Sequence, residues 1–142
     1  MVKPRKNKEI KPTALVVEDD EHVVYLLEFM LSRAGFRVVT AQDGRVADEY
    51  ICSADPVDIV MLDIVLPYKD GFELLSLIRS RPEWSEVPVI ILSARTLERD
   101  VVRGLEAGAN DYVTKPYNPR ELMARVRRHT RPRGSIDEAL SA

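Results

Sequence analysis

The chain has 142 residues, 45% of them apolar, and a formal net charge of −2. That size fits one domain around one core, and the charge excludes a surface given over entirely to nucleic acid. The single cysteine, Cys52, excludes an internal disulfide, and no apolar run reaches the length needed to span a bilayer.

Charge is unevenly placed. The opening MVKPRKNKEIK holds five basic residues against one acid, and ARVRRHTRPR carries five arginines. A solvated segment and a helix C-terminus whose dipole favours cations account for both; contact with an anionic partner is the alternative. Residues 1–12 are polar and proline-containing, and read as a flexible leader. No signal-peptide apolar core follows the lysines, so the expected location is cytoplasmic.

In chain order, Ala14–Val17 reads as a first strand. From Glu21 to Arg33, Val23, Val24, Leu26, Leu27, Met30 and Leu31 recur at helical spacing, and Gly35 is a natural stop. Arg37–Ala41 is a second strand. A helix over about Gly44–Ser53 follows, ended by Asp55-Pro56. Cys52, in that helix among Val46, Ala47, Tyr50 and Ile51, is expected to be a half-buried structural thiol. Asp58–Leu62 is a third strand. The next helix, about Gly71–Ser80, has Phe72, Leu74, Leu75, Leu77 and Ile78 on its apolar face. RPEWSEVP is a loop whose Trp84 is expected to cover an apolar edge of that helix. Val89–Leu92 is a fourth strand, Leu97–Glu106 a helix stopped by Gly108, and Asp111–Thr114 a fifth strand. Asn118 caps a last helix, with Pro119 at its first position, running to about His129. Residues 132–142 read as a tail or linker. His22 and His129, at the two ends of the chain's helices, have no metal-pair spacing and are assigned surface or capping roles.

Five strands alternating with five helices predict an α/β fold: a doubly wound, flavodoxin-like parallel sheet of strand order 2-1-3-4-5. In such a sheet, the residues just past the strands converge on one edge, where ligands bind. Here they are Glu18 and Asp19, Asp63, Ser93 and Lys115. Acids, a hydroxyl and a lysine gathered there suit a divalent cation and a phosphoryl group.

The segments VVEDDEHV, DIVMLDIVLPYKDGFELL, PVIILSAR and GLEAGANDYVTKPYNPRELMARV stand in order over most of the chain. Together they resemble the receiver domain of two-component response regulators, over residues 13–131, and within it most resemble receivers attached to winged-helix transcription factors. The resemblance implies that Asp63 is the phosphoacceptor, and that Glu18, Asp19, Asp63 and the Val65 carbonyl hold Mg²⁺, for which Mn²⁺ can substitute. It implies that Ser93 and Lys115 contact the phosphoryl group, that Ser93 and Tyr112 form the switch, and that the Lys115–Pro116 bond is cis. A sensor histidine kinase or a small phosphodonor would supply the phosphoryl group.

The same resemblance points to the helix of residues 97–106, the fifth strand and the last helix as the surface that changes. In the winged-helix subclass this face forms a phosphorylation-dependent homodimer. Val102, Leu105 and Met123 would supply its apolar patch, and Asp111 with Arg125 and Glu106 with Arg127 its ion pairs. Val101 departs from the subclass, standing where a basic partner for Glu121 is usual. A downstream effector protein is the other occupant, and direct nucleic-acid or membrane contact is not expected. Tyr68-Lys69 replaces the small residues often found before Asp70-Gly71, and Val65 and Arg95 stand where phosphate lifetime is tuned. Two further function classes are an Mg²⁺-dependent phosphohydrolase with an aspartate nucleophile and a phosphate-independent docking module. The first needs a second acid for leaving-group protonation, and Val65 occupies the second position after Asp63. The second has no need of the acceptor set.

Overall fold

The computed structural model describes residues 11–130. Apart from Lys11 and Pro12, the expected leader over 1–12 lies outside the described residues, as does the tail over 132–142. The elements are β1 (Thr13–Val17), α1 (Glu21–Arg33), β2 (Arg37–Ala41), α2 (Gly44–Ser53), β3 (Ile59–Leu62), α3 (Gly71–Ser80), β4 (Val89–Ser93), α4 (Glu98–Glu106), β5 (Asp111–Thr114) and α5 (Pro119–Thr130). The predicted boundaries stand within a residue or so. Leu97 is the residue before α4 rather than its first turn.

All strand pairs are parallel, in the order β2-β1-β3-β4-β5. The strands are apolar on both faces because helices cover both. Leu15, Val17, Val60, Leu62, Val89 and Ile91 meet α2 and α3 through Ala47, Ile51, Leu74, Leu75 and Ile78. Their neighbours Ala14, Val16, Ile59, Met61, Ile90 and Leu92 meet α1 and α5 through Leu27, Leu31, Leu122 and Val126. The two-residue period of a strand thus divides one apolar run between two cores.

Local signals start the helices where the sequence predicts. Asp20 caps α1 by accepting from the His22 and Val23 N–H groups, and Asp70 and Glu73 form a reciprocal capping box on α3. The Asn118 side chain accepts from the Glu121 N–H at the start of α5. Gly35, at φ 97°, ends α1 in the left-handed region.

Along α1, Leu26 is exposed, as are Tyr25 and Phe29. Two expectations are corrected. Cys52 is exposed rather than half-buried, because α2 buries Ala47 and Ile51 and the next residue turns about 100° away. Trp84 does more than cover an edge: it is fully buried between α2 and α3. It meets Tyr50 edge-on with ring centroids 6.2 Å apart, and its indole N–H donates to the Ala54 carbonyl at 3.4 Å.

Among the described residues no helix is long and apolar enough to cross a membrane.

Candidate functional site

Strand register assembles the site. Val17 pairs with Leu62, and the Asp63 N–H donates to the Val17 carbonyl at 3.0 Å, so Glu18 and Asp63 emerge side by side. Ser93 pairs with Thr114, and the Lys115 N–H donates to the Ser93 carbonyl at 2.8 Å. The outer and inner strands thereby end at one level, and the crevice lies where the chain passes from β1 outward to β2 and inward to β3. The Lys115–Pro116 bond is cis, as the resemblance implies.

Glu18, Asp19 and Asp63 each bring a carboxylate oxygen within 4.8 Å of the others. Glu18 is only 2% exposed and Asp63 only 7%; Asp19 is exposed. Two carboxylates about 4 Å apart repel by ~4 kcal/mol at an effective dielectric near 20. Lys115 answers part of this charge: its Nζ lies 2.8 Å from Glu18 Oε1 and 3.2 Å from Asp63 Oδ2. Burial pulls the lysine's pKa down, but the two acids outweigh it and hold the ammonium above its ordinary value. Burial raises the Glu18 carboxyl, against the opposing bonds from Lys115 and the Asp20 N–H. One lysine against three acids leaves a net negative, all-oxygen donor set, which fits a hard divalent cation such as Mg²⁺.

The backbone orients the central acid. Asp63 Oδ1 accepts from the Val65 N–H at 3.1 Å, which leaves Oδ2 facing Lys115. Val65 itself is exposed at the mouth of the crevice. Ser93 is fully buried at the end of β4, and its Oγ accepts from the Arg95 N–H at 3.1 Å. The Tyr112 hydroxyl donates to the Arg95 carbonyl at 2.9 Å. Its ring lies against Gly104, where a Cβ would come 3.0 Å from Cδ2. The hydroxyl, the β4–α4 loop and the aromatic ring are therefore linked through Arg95. Gly104 is the only buried residue of α4, and no side chain caps the helix at Leu97.

On the face of α4, β5 and α5, Val102 and Leu105 are exposed as expected, and so are Glu106 and Arg127. One expectation there is corrected. Met123 is buried in the core beneath α5 and contributes little to a surface patch. Asp111 and Arg125 already pair within one chain, with Arg125 Nη1 3.0 and 3.1 Å from the two carboxylate oxygens. His129 Nε2 lies 3.2 Å from the same carboxylate. Arg125 also reaches Glu121 at 2.8 Å.

Sequence reasoning missed the bond from Lys115 to Glu18, which spans 97 positions. It also missed the part Arg95 plays through its backbone, which no side-chain pattern signals. A third omission is Arg79. Its guanidinium donates to the carbonyls of Ser85, Val87 and Gly108 and to the Asn110 side chain, tying α3 to the loop before β5.

The family model for the response regulator receiver domain matches residues 14–127. The receiver domain of Francisella response regulator 1452 superposes with a TM-score of 0.77 at 33% identity, covering 84% of this chain and 96% of that one. The receiver domain of a signal transduction histidine kinase from Syntrophus aciditrophicus does so at 0.77 and 31%, covering 84% and 89%. A third structure, the receiver domain of a sensor histidine kinase from Pseudomonas aeruginosa with a magnesium ion in its active-site cleft, gives 0.77 and 32%, covering 85% and 98%. With a matched family model across its folded length and an acidic crevice at the sheet's carboxyl edge, this chain belongs to the response regulator receiver domains, the phosphorylation-activated switches of two-component signalling.

Proposed function

We propose that Asp63 is the residue that carries the phosphoryl group. The observation that supports this is the meeting of Glu18, Asp19 and Asp63 with Lys115 at one crevice. An Asp63 carboxylate oxygen forms a bond to phosphorus as the donor's P–N bond to a kinase histidine breaks, or the P–O bond of a small phosphodonor. Water later cleaves the acyl phosphate and releases inorganic phosphate. The protein promotes both steps on itself and turns over no separate substrate.

The transition state is loose, so the residues act by position and charge. Glu18, Asp19, Asp63 and the Val65 carbonyl would hold Mg²⁺, or Mn²⁺ in its place, which supplies positive charge against the crowded oxygens. Lys115 is placed to move its hydrogen bonds from the carboxylates to a phosphoryl oxygen. Ser93 gives a second donor once its hydroxyl turns toward that oxygen. Tyr112, linked to Ser93 through Arg95, carries the change to α4, β5 and α5. The exposed Val102 and Leu105 make that face the output surface, for a second copy or a different effector protein. The upstream partner is a histidine kinase, and the working location is the cytoplasm.

The test is exposure to acetyl phosphate with Mg²⁺, followed by intact mass. Wild-type protein should gain one hydroxylamine-labile phosphoryl group, Asp63→Asn none, and Lys115→Ala should accumulate far less. Labelling of Asp63→Asn equal to wild type would remove Asp63 from this role. Sedimentation with beryllofluoride then separates the two occupants of the output face: a dimer identifies a second copy, and a monomer identifies a different protein.

A further inference from the structure

Resting on the reading of Asp63 as acceptor, we propose that the first turn of α2 is a latch that positions Asp63. It does so by holding the loop of residues 64–70, and the stack of Arg45 on Tyr68 closes it.

The loop is coupled to the acceptor at its start, where the Val65 N–H donates to Asp63 Oδ1 at 3.1 Å. Its two ends are fastened to each other by the Gly71 N–H donating to the Ile64 carbonyl at 2.8 Å, and Ile64 is buried. The middle of the loop is fastened to α2. There the Pro67 carbonyl accepts from the Gly44 N–H at 3.0 Å and from the Lys69 N–H at 2.9 Å. Backbone meets backbone at this point because position 44 has no side chain. A Cβ on Gly44 would stand 2.1 Å from the Lys69 carbonyl oxygen and 2.6 Å from the Lys69 Cβ.

Two side-chain contacts reinforce the approach. The Arg45 guanidinium lies 4.5 Å from the centroid of the Tyr68 ring, and Lys69 Nζ lies 3.4 Å from Asp48 Oδ2. Tyr68 stands at φ 73°, the only non-glycine residue with positive φ among the described residues. Such a conformation is strained for a tyrosine and persists only where its surroundings determine it. Burial does not do so, since Tyr68 is 72% exposed. What determines it is the Arg45 stack together with the bonds to Pro67. A glycine would adopt the same backbone without strain but would give Arg45 nothing to hold.

The loop's conformation in turn sets where the Val65 N–H stands, and so which oxygen of Asp63 is left facing Lys115. Arg45 and Tyr68 touch none of the reacting atoms; they are positioning residues acting through residues 65–67.

The experiment uses the full chain, with Arg45→Ala, Tyr68→Gly, Tyr68→Phe and the double variant Arg45→Ala/Tyr68→Gly. Rates of phosphorylation by acetyl phosphate are measured against donor concentration. Thermal melting and amide exchange at Val65 and Lys69 accompany them. Both single variants should melt close to wild type yet show a saturating rate lower by about 3–10-fold, with the half-saturating donor concentration changed by less than about twofold. The double variant should be no slower than either single, amide exchange at Val65 should rise in all three, and Tyr68→Phe should restore the wild-type rate and exchange. Wild-type rates in Arg45→Ala and Tyr68→Gly, losses that merely track stability, or failure of Tyr68→Phe to restore the rate would overturn the latch. Asp63→Asn separates the two readings. If it is labelled, the acceptor assignment fails; if it is not labelled while the latch variants react normally, the latch alone fails.

Discussion

Asp111 stands at the start of β5 with its carboxylate held by Arg125 and beside His129. Burial would raise its pKa, but those partners and the Tyr112 N–H outweigh burial and hold it below its ordinary value of 3.8. Because the folded-state value is depressed, the resulting stability is fully present above the unfolded value and lost as pH falls through the folded one. Asp111→Asn should therefore cost about 1–2 kcal/mol near neutrality, as loss of charged hydrogen bonds does. The gap between the two proteins should close below about pH 4. Urea titrations at a series of pH values check this. A gap that persists unchanged at pH 2 would mean that the side chain's packing, not its charge, supplies the stability. The residues of this pair were legible in the sequence, but their pairing within one chain was not. Positions 111 and 125 meet only because β5 turns directly into an antiparallel α5.

At the scale of elements, α2 and α3 are joined through Trp84, which lies in an irregular segment yet is fully buried. The apolar periodicity of α3 was plain in the sequence, and so was the loop that follows it. Nothing in RPEWSEVP announces that its tryptophan turns back beneath both helices. Trp84→Ala should leave a cavity among Tyr50, Ile51 and Ile78 and cost about 3–5 kcal/mol. Trp84→Phe should cost markedly less. Circular dichroism in urea reads both, and a cost for Trp84→Ala under 1 kcal/mol would show that the site collapses around the missing ring. By contrast α4 buries only Gly104 and starts without a side-chain cap. That difference in anchoring fits α4, rather than α2 or α3, for an element whose position a phosphoryl group can bias.

For the whole molecule, the acidic crevice links ligand to fold. Bringing Glu18, Asp19 and Asp63 together opposes folding until positive charge beyond Lys115 is supplied. A cation that binds only the folded chain should stabilise it by about 2.7 kcal/mol at a hundred times its dissociation constant, raising the melting temperature on the order of 10 °C. Melting with and without Mg²⁺, in wild type and in Asp19→Ala/Asp63→Asn, measures this. An equal shift in both proteins would place the cation elsewhere.

The sequence by itself determined the alternation of strands and helices, the strand ends and the acids, hydroxyl and lysine upon them, because periodicity, caps and stops are local properties of a chain. That alternation led to the strand order through the general rules for parallel sheets, and the family resemblance the sequence carries supplied the cis bond. The tertiary structure decided what depends on segments distant in sequence. Register brought Lys115 to Glu18 as well as Asp63, the second core took Met123 off the surface, and the bare backbone of Gly44 let α2 approach the loop after Asp63. Those contacts are set by how layers pack, and packing becomes defined only when every element is in place.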